Sequence, residues 1–130
     1  MNFKIDTKEK FTTITSMQID LSDNLTEKLI ASATRCLSHA PKNVILNLSS
    51  VQHLTETGAH QLARLQETFY EKNASLVVCE LQTAVEQLLE QWQLNEVINI
   101  VPTESEAWDI VQMEEIEREL MDDFDELTNE

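Results

Sequence analysis

The first forty residues show two periods of apolar positions, a period of two followed by a helical one. In residues 2–6, NFKID, apolar and polar side chains alternate as they do in a half-buried strand. Residues 11–16, FTTITS, are β-branched and aromatic and predict a second strand that forms a hairpin with the first. The run SDN at residues 22–24 offers helix caps, and apolar residues at helical spacing follow up to Pro41.

The rest of the chain alternates strand and helix patterns. Residues 43–48, NVILNL, and 75–79, SLVVC, are nearly continuous apolar runs, as in strands covered on both faces. Residues 97–101, VINIV, predict a short last strand. Capping boxes at residues 83–86, TAVE, and 103–106, TESE, predict the starts of two helices. Another helix follows Gly58, and its inner side is expected to hold Ala59, Leu62, Ala63, Leu65, Phe69 and Tyr70.

The predicted order is therefore β-β-α-β-α-β-α-β-α. Strands and helices that alternate at this spacing indicate an α/β fold with a mixed, mostly parallel sheet of four to five strands and about four helices. We find no internal repeat and no linker composition. The sequence predicts a single domain over residues 1–112, followed by an acidic, amphipathic helical extension over residues 113–130.

Charge narrows the class of partner. The chain has nine basic and 24 acidic residues, a net charge of −15, which argues against binding to nucleic acid or to an anionic membrane surface. Partners are expected to be proteins with a basic or mixed face. No apolar run is long enough to span a bilayer, and the N-terminal residues do not resemble a signal peptide, so we expect a cytoplasmic protein without membrane insertion.

The extension carries much of this charge. Residues 113–130 contain nine acids and one base, Arg118, and so supply −8 of the −15. Apolar residues recur in it at steps of three or four, a helical stripe formed by Met113, Ile116, Leu120, Phe124 and Leu127. Two interpretations stay open. The stripe folds back onto the domain, or it binds a partner or a second copy of the chain, which would make a homodimer.

Catalytic and metal-binding patterns are weak. Cys36 and Cys79 have no CxxC or Cys/His spacing and are expected to be free thiols. His39, His53 and His60 are too far apart in sequence for a helical metal pair. A chain with one glycine cannot form a P-loop or a GxGxxG motif, and there is no GxSxG motif. We therefore predict no enzymatic activity, no catalytic residue, no metal and no cofactor.

The single glycine, Gly58, lies in the run HLTETGAH, between a buried strand and a helix. In open α/β sheets the functional surface lies beyond the carboxyl ends of the strands. We expect the glycine to permit a sharp turn of the chain or the close approach of another backbone, and Thr57 to lie at or next to the helix N-cap. A phosphate on Thr57 would be well placed at the positive end of the helix. The alternative is that Thr57 only caps the helix.

The order of these segments resembles one known family. It is carried by the run NVILNLSSVQHLTETGAHQLARLQETFYEKNASLVVCELQTAVEQLLEQWQLNEVINIVPTESEAW, and it extends over the chain up to about residue 112. This run resembles the STAS domain, the anti-sigma-factor antagonist family. That family has a strand ending in Asp-Leu-Ser-Gly-Val and then an Asp-Ser-Ser-Gly loop that opens a helix.

The resemblance assigns roles to individual positions. The serine before the loop glycine, which a partner kinase phosphorylates in the family, corresponds to Thr57. Thr55 stands in place of the loop aspartate, and Glu56 in place of the first serine. Asn47 replaces the aspartate of the strand, and Ser50 replaces the glycine that follows the strand's serine. Two carboxylates that frame the loop in the family are therefore absent, although Glu56 supplies one a residue later.

The function that the resemblance implies is a protein-binding regulatory module. Its unmodified form would sequester an anti-sigma factor or a serine/threonine kinase, and phosphate on Thr57 would release that partner. The partner-binding residues are expected to be Thr55, Glu56, Gly58, His60, Gln61 and Arg64. The alternatives are a non-phosphorylated STAS subunit of a bacterial transport or signalling complex and, in a different class, a small-molecule enzyme.

Overall fold

The computed structural model describes residues 3–128 of the chain and the side chains of residues 3–121. The elements follow one another along the chain as β1 (Phe3–Thr7), β2 (Phe11–Ser16), β3 (Asp20–Leu21), α1 (Asp23–Arg35), a 3₁₀ turn (Cys36–Ser38), β4 (Asn43–Asn47), β5 (His53–Leu54), α2 (Glu56–Glu71), β6 (Leu76–Cys79), α3 (Thr83–Gln91), β7 (Ile100–Val101) and α4 (Glu104–Thr128).

Five strands form the main sheet in the order β1-β2-β4-β6-β7. β1 and β2 are the antiparallel hairpin, and the other neighbours are parallel. The α/β prediction, a mostly parallel sheet of four to five strands with four helices, is confirmed. The two-residue strands β3 and β5 pair with each other outside this sheet and were not predicted. Two residues are too few to show an alternating pattern.

The central strands β4 and β6 separate two hydrophobic cores. Val44, Leu46, Leu76 and Val78 point to the larger core, where they meet buried residues of α1, α2 and α3. Alternate residues of the same strands point to a smaller core on the other face of the sheet, which consists of Phe11, Ile45, Val77, Cys79, Ala107 and Val111. Because α4 supplies the last two, helix α4 covers the second face.

Three local predictions were wrong. Val97 and Ile98 are in a turn whose backbone N–H groups donate to the Leu94 carbonyl, so the last strand is only Ile100–Val101. Thr83 is the first residue of α3 and makes no cap; Gln82 precedes it with no side-chain cap bond. Tyr70, expected on the inner side of α2, is 82% exposed. By contrast, Ser22 caps α1, and Thr103 Oγ1 accepts from the Glu106 N–H at 3.2 Å.

The sequence also predicted a half-buried β1, but this edge strand is partly buried only at Phe3, and Ile5 is 56% exposed. Both cysteines are free thiols, Cys79 buried and Cys36 partly buried. Burial, with the nearby Glu104 and Glu80 carboxylates, raises the pKa of Cys79 to about 12. No described helix is long and apolar enough to span a membrane.

Candidate functional site

The loop that precedes α2 leaves the carboxyl end of β4 and is held on both sides. Asn47, the last residue of β4, accepts the Ser49 N–H on its Oδ1 at 3.0 Å and donates from Nδ2 to Glu104 Oε1 at 3.2 Å. The N–H groups of Gln52 and His53 both donate to the Ile19 carbonyl. This loop therefore delivers residue 55 to a fixed position at the edge of the domain.

Thr55, not Thr57, is the N-cap of α2. Its backbone is extended, with φ −79° and ψ 155°, and its Oγ1 accepts the Gly58 N–H at 2.9 Å. The Thr55 hydroxyl in turn donates to Asp23 Oδ1, in the first turn of α1. Because the Thr55 hydroxyl proton is donated to Asp23, the Thr55 Oγ1 lone pairs are available to accept the Gly58 N–H. Asp23 thus places a carboxylate next to Thr55, which has none of its own.

Neither form of the expectation for Gly58 is met. Its φ is not positive, so it is not required for a left-handed turn. Instead, a Cβ at this position would lie 3.0 Å from Thr26 Oγ1 and 3.1 Å from Thr55 Oγ1. What comes close is side chains rather than another backbone. The glycine lets the first turn of α2 pack directly against α1.

Thr57 lies two residues past the cap, and its side chain is exposed. The prediction that it lies at or next to the N-cap was wrong, because Thr55 can cap a helix equally well. A cap leaves the N–H groups of Glu56 and Thr57 without an acceptor inside the helix. The Thr57 hydroxyl is therefore presented to solvent at the positive end of α2.

Exposed polar side chains continue from Thr57 along α2. Glu56, His60 and Arg64 are exposed, and His60 Nε2 lies 3.6 Å from Glu56 Oε2. This pair is worth little energy because both side chains are more than half exposed. Gln61 is partly buried, and together with Arg64 it lines a groove of about 390 Å³ between α1 and α2. We call the exposed set Glu56, Thr57, His60 and Arg64 the α2 surface.

All six residues expected to bind a partner lie at the start of α2, and Gly58 alone among them is buried. Thr55, Glu56 and Gly58 form the first turn of α2, and His60, Gln61 and Arg64 follow within two turns. Asp23 and Thr26 were not anticipated. Their contacts join positions 32 residues apart in the chain, and no local pattern signals such a pair. Among residues whose side chains are described, no three His, Cys, Asp or Glu lie close enough to hold a metal ion.

The family model of the STAS domain matches residues 4–107 of this chain. The chain belongs to the STAS domain family. No curated protein matches it in sequence.

Solved structures agree on the fold of this STAS domain. A STAS domain protein from Planctomyces limnophilus is 16% identical, covers 85% of this chain and 97% of its own, and superposes with a TM-score of 0.70. The phosphorylated Bacillus cell fate determinant SpoIIAA is 14% identical, with 84% and 98% covered and a TM-score of 0.63. Part of the murine anion transporter Slc26a9 is also similar, at 13% identity, 83% and 18% covered, and a TM-score of 0.66.

Proposed function

We propose that this STAS domain is a protein-binding regulatory module of the anti-sigma-factor antagonist type, which binds an anti-sigma factor or a serine/threonine kinase through its α2 surface. The observation that supports this most directly is the exposed Thr57 hydroxyl at the start of α2, beside exposed polar side chains. Several of the similar structures are anti-sigma-factor antagonists, one of them in a phosphorylated form. A cytoplasmic location is part of the same proposal.

Phosphate on Thr57 is the proposed switch. Thr55 cannot serve equally well, because its hydroxyl donates to Asp23 and accepts from Gly58. A phosphate would add about −1.5 to −2 charges to a surface that already holds Glu56 and Asp23. A partner that docks with a basic group near these carboxylates would stay attached, whereas a partner matched to the neutral hydroxyl would be released. The domain itself would not unfold, because Thr57 is outside both cores.

A binding role also fits the chemistry of the thiols. A catalytic cysteine needs a lowered pKa and access to substrate. Cys79 has neither, since it is fully buried and its pKa is raised to about 12. We assign no catalytic residue.

The switch is tested by phosphorylation. The protein is incubated with ATP and the candidate kinase, and the phosphate is mapped by mass spectrometry. We expect phosphate on Thr57 and none on Thr57→Val. Thr68→Val is the matched control, because Thr68 is on the same helix but its Oγ1 donates to the Arg64 carbonyl. If the phosphate is at another residue, or if a kinase that is proven to bind adds none, the proposed switch is rejected and the proposed binding role still stands.

The binding surface is tested separately by affinity. Thr57→Glu and Arg64→Ala should each weaken binding to that partner by about tenfold or more, and Thr68→Val should not. If both variants bind as tightly as the unaltered protein, the α2 surface is not the docking site.

The second candidate is a non-phosphorylated STAS subunit of a transport or signalling complex. It is favoured by the likeness to part of the Slc26a9 anion transporter. Purification of the native protein distinguishes the two, since a permease and an ATPase would co-purify in one case and a kinase in the other.

A further inference from the structure

Over residues 113–121, helix α4 has its polar side turned toward the domain. Earlier in the helix, Ala107 and Val111 are fully buried in the second core. One and two turns further along the same side come Glu115 and Arg118. Glu115 Oε2 accepts from Asn43 Nδ2 at 2.9 Å, and Arg118 donates to Asn43 Oδ1 at 3.2 Å and to Ser75 Oγ at 3.1 Å. A polar network therefore replaces the apolar packing of the first half.

Three apolar residues of this segment point the other way. Met113, Ile116 and Leu120 are 54%, 56% and 62% exposed. At about 100° per residue, all three lie within about 40° of the direction opposite to Val111. We call these three residues the outer ridge. Of the two interpretations, the one in which the stripe folds back onto the domain is wrong for these three residues, because the helix cannot turn this side inward while Val111 and Arg118 hold the other. The side chains of Phe124 and Leu127 are outside those described.

The charges beside the outer ridge have one sign. Glu117 and Glu119 flank it and are exposed. The one base of this segment, Arg118, is committed to Asn43 and Ser75 on the inner side. A second copy of the same helix would set glutamates against glutamates, and like charges placed together at an interface oppose pairing. A partner with Lys or Arg on both sides of an apolar stripe complements the ridge in shape and in charge.

We propose that the outer ridge is a docking site for a basic amphipathic helix of another protein, whose leucine-like side chains would pack on Met113, Ile116 and Leu120 and whose Lys or Arg residues would meet Glu117 and Glu119. Helix recognition through anchors spaced by three, four and seven residues is a common binding mode. The ridge lies on the helix that covers the second core, whereas helix α2, which carries the α2 surface, packs on the larger core at the opposite face of the sheet. Both sites can be occupied at once, so this second site does not rest on the proposed function.

The probe for this site is a synthetic 18-residue helix with Leu in heptad a and d positions and Lys beside them. Its binding to the full chain is measured by isothermal titration calorimetry at low salt. The double variant Ile116→Ser/Leu120→Ser leaves the charge unchanged and should lower the affinity tenfold or more. Ile5→Ser/Met17→Ser is the matched control, since both residues are equally exposed and lie outside α4. It should bind like the unaltered protein.

Two further measurements test the charge and the occupant. A probe with Glu in place of Lys should bind at least tenfold more weakly, and Glu117→Gln/Glu119→Gln should weaken binding of the Lys probe. If Ile116→Ser/Leu120→Ser binds the Lys probe as tightly as Ile5→Ser/Met17→Ser does, the probe is held by the net negative charge of the chain alone, and the proposal is overturned. The oligomeric state is measured by light scattering. If the unaltered chain is a dimer and Ile116→Ser/Leu120→Ser is a monomer, the occupant of the outer ridge is a second copy of the chain, and the proposal is overturned as well.

Discussion

At the scale of single residues, Gly58 shows how one missing Cβ fixes the position of α2. Alanine is about 1 kcal/mol better than glycine inside a helix. The new Cβ would, however, lie 3.0 Å from Thr26 Oγ1, and that hydroxyl is held by a 2.9 Å bond to the Ser22 carbonyl. Thr55 Oγ1 is held as well, by Asp23 and by the Gly58 N–H. Neither neighbour can give way without losing a hydrogen bond.

We therefore expect Gly58→Ala to lower the free energy of unfolding by about 1 kcal/mol, since overpacking costs more than the helix gains. In a Thr26→Ala background one of the two close contacts is absent, so the cost of Gly58→Ala should shrink by at least about 0.5 kcal/mol. Urea denaturation of the unaltered chain, Gly58→Ala, Thr26→Ala and the double variant measures both effects. A stabilisation of equal size in both backgrounds would contradict the packing argument.

Cys79 gives a pH dependence at the same scale. Its pKa is raised by burial, and further by Glu104 and Glu80, from 9.0 to about 12. Below pH 9 the thiol is protonated in both the folded and the unfolded protein. Between pH 9 and about 12 only the unfolded chain releases the proton, so the free energy of unfolding falls as the pH rises.

Cys79→Ala, made in a Cys36→Ser background, should remove this pH-dependent part of the free energy of unfolding. The difference in free energy of unfolding between Cys36→Ser and Cys36→Ser/Cys79→Ala should shrink as the pH is raised from 8 to 10, by at most about 1.4 kcal/mol per pH unit. Urea denaturation at pH 8, 9 and 10 provides the values. A difference that stays constant over this range would mean that Cys79 ionises as easily in the folded protein as in the unfolded chain.

At the scale of elements, sequence periodicity located the strands whose two faces are both covered. β4 and β6 are continuous apolar runs because they lie between two cores, and such runs are visible without a structure. The turn at Val97 and Ile98 has the same composition as a strand, and only its bonds to the Leu94 carbonyl distinguish it. Likewise, the sequence pattern does not locate the cap of α2, because the chain offers two threonines, and Asp23, distant in sequence, selects the first.

Helix α4 shows the other limit of periodicity. The stripe from Met113 onward correctly indicated a helix, but periodicity alone does not say which side faces the domain. That side is set by Asn43, which is only 5% exposed. Its side-chain amide donates to the Lys10 carbonyl and to Glu115. Its side-chain oxygen accepts from the Ser75 N–H and from Arg118. A buried amide costs stability unless these bonds form, so the polar side of α4 turns inward.

Arg118→Met should therefore lower the free energy of unfolding by about 1 kcal/mol, because two hydrogen bonds from a charged donor are lost. Amide exchange of residues 113–121 should accelerate with it, since this half of the helix loses its attachment. Lys10→Met removes the same charge but only an exposed 3.4 Å pair with Glu115, so its effect should stay below about 0.5 kcal/mol. Equal effects from the two substitutions would show that the network does not anchor α4.

At the scale of the whole molecule, the net charge of −15 has few attractive pairs to balance it. Among the described residues four ion pairs lie within 4 Å, and two of these involve histidine. Such exposed pairs contribute little each. Repulsion among the 24 acids is therefore the dominant long-range term, and it weakens when salt shortens the screening length from about 30 Å at 0.01 M to about 8 Å at 0.15 M.

The melting temperature should consequently rise as sodium chloride is increased from about 0.01 to about 0.3 M, as followed by circular dichroism. The variant Glu117→Gln/Glu119→Gln should melt higher at low salt and respond less to added salt, because it begins with less repulsion along α4. Sodium chloride is used because sulfate would also strengthen apolar burial. A melting temperature that falls with salt would mean that attractive pairs outweigh the repulsion. Added salt should lower the affinity of the outer ridge for its basic probe. Screening weakens the attraction between probe and chain, just as it weakens the repulsion among the carboxylates within the chain.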